Sequence, residues 1–260
     1  MTEKELESTV ESHVLINGQW VPVYLPKNMD RHDLFTALNS PQFDGGWRAS
    51  LDPRFKIRSI LFQSVDVVGP SGKEKFLFGK LKADVTNPEG KFLPGIVFMR
   101  GGAVVILEIL VCGGKEYAVM VTQPRFAVGS YEFPENPAGM LDGSGDVVGK
   151  AIQELEEEAG IKVKRENLID LTELAYGDKW KGVYTTAGAC DEFLRILLDR
   201  REVNESELQS LQGRLGGLAE EGEEIRLQVV PLEEVPFYSP AAGSLAAYCL
   251  YKCLKWRGTI

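Results

Sequence analysis

Histidine and cysteine are scarce in this chain: its 260 residues include two His and four Cys. Cys112, Cys190, Cys249 and Cys253 are too sparse for a disulfide framework. His13 and His32 stand near no Cys pair, which argues against a zinc site. Long apolar runs are lacking as well. The most apolar stretch, Ala103 to Cys112, is interrupted by Glu108 and is about half as long as a bilayer span. Positive charge is in deficit, with 29 Lys and Arg against 38 Asp and Glu and a formal net charge of -9. Nucleic-acid backbones are bound through clustered Lys and Arg, so no nucleic-acid partner is expected, and no membrane either. An anionic small substrate stays open, because metal ions reverse the local sign of charge. The acidic start, Met1 to Glu7, has no apolar segment and is not rich in Arg or Ser. It predicts no signal or transit peptide, and with free cysteines it points to a reducing, cytosol-like compartment.

What is present is ordinary globular composition, 44% hydrophobic and 26% charged. A chain this long buries roughly three quarters of its unfolded surface and needs no staples. Residues 1–12 read as a polar start. Residues 13–94 read as short strands and turns. Their clearest signal is a hairpin in His13 to Leu25, two apolar runs around Asn17-Gly18. Gln42 to Pro53, rich in Gly, predicts a loop. Arg58 to Val85 predicts two strands around Pro70-Ser71-Gly72.

From Gly95 the pattern changes to long apolar strands joined at Gly113-Gly114. Val147 to Ala159 has helical spacing, with Val148, Ala151, Ile152 and Leu155 on one side and Gly160 as its stop. Tyr184 to Leu198 predicts strand with an Ala-Gly-Ala turn. Leu208 to Glu224 predicts a helical piece followed by an acidic loop, and Ile225 to Val235 a strand. Ser239 to Trp256 predicts a C-terminal helix, capped by Ser239 ahead of Pro240. Cys249 and Cys253 fall four apart on it, as one buried face would place them. Trp20, Trp47 and Trp180 read as packing residues.

Glu154, Glu157 and Glu158 share one face of the predicted helix. Like charges so placed repel by a few tenths of a kcal/mol per pair, so they face water or a cation. Taken alone, such a run is a solvated acidic face. Hard ions such as Mg²⁺ take oxygen ligands and share them with substrate phosphates. The context favours the cation. Pro137-Ala138-Gly139 precedes the helix and Gly160-Ile161 follows it. The whole stretch resembles the box of the Nudix hydrolases: Gly, five residues, Glu, seven residues, then Arg-Glu-U-X-Glu-Glu-X-Gly-U, with U a large aliphatic. Gly139, Glu154, Leu155, Glu157, Glu158, Gly160 and Ile161 match in register. Gly145 stands where the box has its first Glu, and Gln153 where it has Arg. Asp146 is the nearest replacement for the missing acid.

"RGGAVVILEI", "VTQPRF", "FPENPAGML", "AGACDE" and "GLAEEGEEIRLQVV" also resemble the ADP-ribose and ADP-sugar diphosphatase branch, most of all the plant-type ADP-sugar diphosphatases. The resemblance implies an α+β chain: a Nudix α/β/α sandwich with a mixed sheet over 95–260, preceded by a small β-rich arm that helps form a homodimer. It implies Mg²⁺, or Mn²⁺ in its place, held by Glu154, Glu157, Glu158 and the carbonyl of Ala138. It implies substrate contacts from Arg125, Glu135, Arg100 and Glu192, and a general base at Glu221 or Glu223. Glu157 is counted with the catalytic set. The expected reaction is hydrolysis of a nucleoside diphosphate sugar, ADP-glucose or ADP-ribose in type, to nucleoside monophosphate and sugar phosphate. Ala187 stands where Pro is common among ADP-ribose hydrolases, which counts against ADP-ribose in particular. Without the resemblance, Arg125 is a partner for a surface acid, Arg100 a brace, and Glu221 and Glu223 a solvated loop. The two departures in the box leave a second reading open, a nucleotide-binding module with little catalysis. Action on capped RNA is disfavoured by the negative charge.

Overall fold

The computed structural model describes residues 9–141, 145–217 and 225–260. The chain forms two units. One runs up to Gly102 and takes in Thr186–Glu192; the other comprises Ala103–Thr185 and Phe193–Ile260.

The first unit is a five-stranded sheet in the order β1-β2-β3-β4-β5, with β1 Thr9–Ile16, β2 Gln19–Leu25, β3 Lys56–Val68, β4 Lys75–Thr86 and β5 Ile96–Met99. The strands pair antiparallel except β2 with β3, which are parallel. The predicted hairpin turns at Asn17-Gly18, although its first strand begins at Thr9, inside the stretch read as a polar start. Helix α1, Arg31–Leu38, lays Leu34 and Ala37 on the sheet beside Val23, Ile60 and Leu81. Gln42 to Pro53 is not a plain loop. It forms a π-helical turn over Gln42–Trp47 and a 3₁₀ turn over Arg48–Ser50. Its anchor is Phe43, fully buried with its ring 5.8 Å from Phe62, while the Ser40 hydroxyl accepts the Phe43 N–H.

The division between units falls later than the change of hydropathy at Gly95. Strand β5 pairs with β4, which keeps 95–102 in the first unit. Residues 186–192 join it because Phe98 N–H donates to Ala189 O at 2.7 Å, and Arg100 and Gly101 N–H donate to Asp191 Oδ1 at 2.7 and 3.1 Å.

The second unit is a nine-stranded sheet between helices. Its main path is β10-β12-β6-β7-β14-β13, with β11 on β12, β8 on β7 and β9 on β6. The strands are β6 Gly102–Cys112, β7 Lys115–Arg125, β8 Ser130–Glu135, β9 Ala138–Met140, β10 Ile169–Asp170, β11 Val183–Tyr184, β12 Phe193–Glu202, β13 Leu215–Gly216 and β14 Ile225–Pro231. The helices are α2 Val147–Ala159, α3 Leu171–Tyr176, α4 Glu205–Leu211, α5 Val235–Tyr238 and α6 Ala242–Trp256. Strand period 2 sorts β6 onto two faces. Val105, Leu107 and Ile109 meet Leu171 of α3 and Ala247, Tyr251 and Leu254 of α6. Val104, Ile106 and Leu110 meet Ala151 and Leu155 of α2 and Leu211 of α4. An α/β/α sandwich follows, within an α+β chain.

Three local expectations differ. The C-terminal helix starts at Ala242, because Ser239 Oγ donates to Pro134 O and accepts from Ala241 N–H at the end of α5 instead of capping α6. Cys249 and Cys253 do share a face of α6, but an exposed one, with Sγ atoms 4.0 Å apart. Trp20 and Trp180 are exposed, whereas Trp47 packs on Phe43. Among the described residues no helix is long and apolar enough to cross a membrane.

Candidate active site

Helix α2 is delimited by two local devices. The Asp146 carboxylate accepts the Gly149 N–H at its start, and Gly160, at φ 56°, closes its end in the left-handed region. Asp146 also pairs with Arg165, just beyond the helix, and these partners hold its carboxyl below the ordinary range. It therefore braces the helix start.

With Leu155 drawn into the core, the next face of α2 turns towards β9. Glu154 and Glu158 are buried there and Glu157 is half-buried. Strand β9 is fixed by pairing with β6, Gly139 opposite Val104 and Ala138 opposite Val105. A Cβ on Gly139 would lie 1.9 Å from Glu154 Oε1, so any side chain there displaces the Glu154 carboxyl. Glu158 Oε2 accepts the Ala138 N–H at 3.1 Å. Gln153 Nε2 donates to Glu157 Oε1 at 2.8 Å, and Lys150 Nζ lies 2.8 Å from Glu154 Oε1. Each carboxylate is thus met by a different donor. Among the described residues no three His, Cys, Asp or Glu side chains converge as a ready ligand cluster. The carbonyl of Glu157 accepts the Gly217 N–H at 3.1 Å, which ties residue 217 to the helix. Glu221 and Glu223 lie outside the described residues.

The expected substrate contacts come as two ion pairs. In the second unit, Arg125 Nε at the end of β7 donates to Glu135 Oε1 on β8 at 2.7 Å. In the first unit, Arg100 Nε lies 2.8 Å from Glu192 Oε1, with the guanidinium 5.6 Å above the Phe78 ring. Asp191, beside Glu192, escaped the reading of the sequence. Burial raises its pKa, against the pull of the Arg100 and Gly101 N–H groups. Lys150 escaped too, although its spacing of four from Glu154 was a visible sign.

No protein-family model matches the chain. A solved structure described as an ADP compounds hydrolase overlays with a TM-score of 0.47 at 14% identity, covering 79% of this chain and 99% of that one. Nudix hydrolase 14, chloroplastic, of Arabidopsis thaliana is 37% identical over 211 residues, 80% of this chain and 67% of its own length. That identity and coverage decide the matter: the chain belongs to the Nudix hydrolases, enzymes that cleave diphosphate bonds in nucleotide derivatives.

Proposed function

We propose that the protein hydrolyses the diphosphate of a nucleoside diphosphate sugar, of the ADP-glucose or ADP-ribose type, to a nucleoside monophosphate and a sugar phosphate. The observation that carries this is the face of α2, where Glu154 lies against Gly139 and Glu158 holds the Ala138 N–H. The donor set is all oxygen: the carboxylates of Glu154, Glu157 and Glu158 and the Ala138 carbonyl. It suits Mg²⁺, with Mn²⁺ as a substitute. When bound, such an ion offsets diphosphate charge and acidifies a coordinated water.

The remaining chemistry belongs to side chains. Arg125, steadied by Glu135, offers a fixed fork to phosphate oxygens. Glu221 or Glu223 takes the proton of the attacking water, a contribution of roughly 10²–10⁴-fold for such a base. Arg100 and Glu192 are kept as candidate substrate contacts, and a homodimer is the expected assembly.

Product analysis with ADP-glucose, ADP-ribose and UDP-glucose, in Mg²⁺ and in EDTA, tests the proposal. Mg²⁺-dependent release of nucleoside monophosphate is expected. Folded protein that turns over none of the three, yet melts higher with nucleotide, supports the second reading of a binding module. The donors already seated on Glu154 and Glu157 favour that reading.

A further inference from the structure

The cation inside the carboxylate face belongs to the protein itself. Lys150 lies just past the first turn of α2, where a positive charge opposes the helix dipole. It also precedes its acid, the weaker order for a pair four residues apart. Helix stability therefore does not explain a lysine at this position. Its surroundings do. The Lys150 side chain is 19% exposed and that of Glu154 12%, with Nζ 2.8 Å from Oε1. A largely desolvated ammonium requires a carboxylate partner. The Glu154 carboxyl lies over Gly139, in the space that a side chain there would take. The Gln153 amide donates to Glu157 and the Ala138 N–H to Glu158.

We propose that Lys150 is a positioning residue that sets the affinity of this site for divalent cations, its ammonium competing with the ion for the Glu154 carboxylate. The inference rests on the metal-dependent reading above. One oxygen held at 2.8 Å by a full positive charge cannot give the same electron density to Mg²⁺ or Mn²⁺. The competition makes binding weaker and leaves Glu157 and Glu158 to carry more of it. Replacing the ammonium by an uncharged group releases Glu154 to the ion.

Calorimetric titration of the full chain with MnCl₂ and MgCl₂ tests this without reference to turnover. Lys150→Met is expected to bind Mn²⁺ about tenfold more tightly than the wild type. Lys150→Gln keeps a donor for Glu154 but not the charge, and shows the same gain if Met disturbs the helix. Lys150→Arg keeps the wild-type affinity. In a Glu154→Gln background the gain disappears. An unchanged or weaker isotherm for both neutral variants overturns the inference, as does a gain that survives Glu154→Gln. A wild-type chain that binds neither ion overturns the metal-dependent reading itself, a separate outcome from failure of the Lys150 variants alone.

Discussion

The two sheets bury themselves differently. In the first unit β3 alternates: Ile57, Ile60 and Phe62 point into the core while their neighbours stay accessible. In the second unit β6 is buried from Ala103 to Val111 without a break, because helices cover both faces. Continuous burial leaves no polar side for a charge, yet Glu108 sits in the middle of β6, fully buried. It is met by Arg201 Nε at 3.0 Å, with Asp199 also buried close by. Burial first, and then the Asp199 carboxylate, push the Glu108 pKa up to about 8 against the pull of Arg201. The first unit, with one wet face, holds its charges at the surface, as in the Arg58–Asp84 pair at 2.6 Å. A two-sided sheet can thus keep a carboxyl neutral in its interior, and a one-sided sheet has no need to.

The largest expected effect assigns chemistry to the second unit. Glu158→Gln keeps the shape of the side chain but removes its charge; turnover should fall by about 10³-fold. Circular dichroism and the melting curve should match the wild type. Near-full activity would remove Glu158 from the site. A truncation in the first unit probes the opposite quality. Phe43→Ala empties a fully buried ring site and should cost about 3–5 kcal/mol. Urea unfolding read by tryptophan emission measures it. Mn²⁺ binding by the second unit should persist at denaturant concentrations that melt the first; simultaneous loss of both would erase the distinction between them.

Gly139→Ala sharpens the comparison at the site itself. Its methyl group meets the Glu154 carboxyl, and overpacking of this kind costs about 1–3 kcal/mol. A lower melting temperature and weaker Mn²⁺ binding are expected together. The smallest effect is a slope. Glu108 titrates near 4.5 when unfolded and near 8 when folded, so the folded chain holds the extra proton. Its contribution to stability is complete below pH 4.5 and is lost as pH rises through about 8. Melting temperatures between pH 6 and 9 should therefore fall by a few degrees more in the wild type than in Glu108→Gln.

Much of this was legible in the sequence. Helix α2 has the predicted bounds because its apolar spacing and Gly160 are local signals. The hairpins at Asn17-Gly18 and Gly113-Gly114 are local in the same way. Other features depend on partners far along the chain. Gln42–Trp47 is rich in glycine, and only the pocket around Phe62 makes Phe43 an anchor. Ser239 has the look of a cap until Pro134, more than a hundred residues away, claims its hydroxyl. Asp191 gains meaning only from two N–H groups some ninety residues earlier. Lys150 was legible as well, since it stands four residues before Glu154.

The interrupted path of the chain carries a further consequence. Reading from one end to the other, the backbone passes between units at 102–103, at 185–186 and again at 192–193. A recombination event that exchanges residues up to 102 as one cassette leaves the seven-residue insert behind. Asp191 then meets a foreign strand end in place of the one whose Arg100 and Gly101 N–H groups it accepts here. Inheritance of the first unit is therefore tied to that of the second, and a graft between relatives has to carry 186–192 along with the sheet.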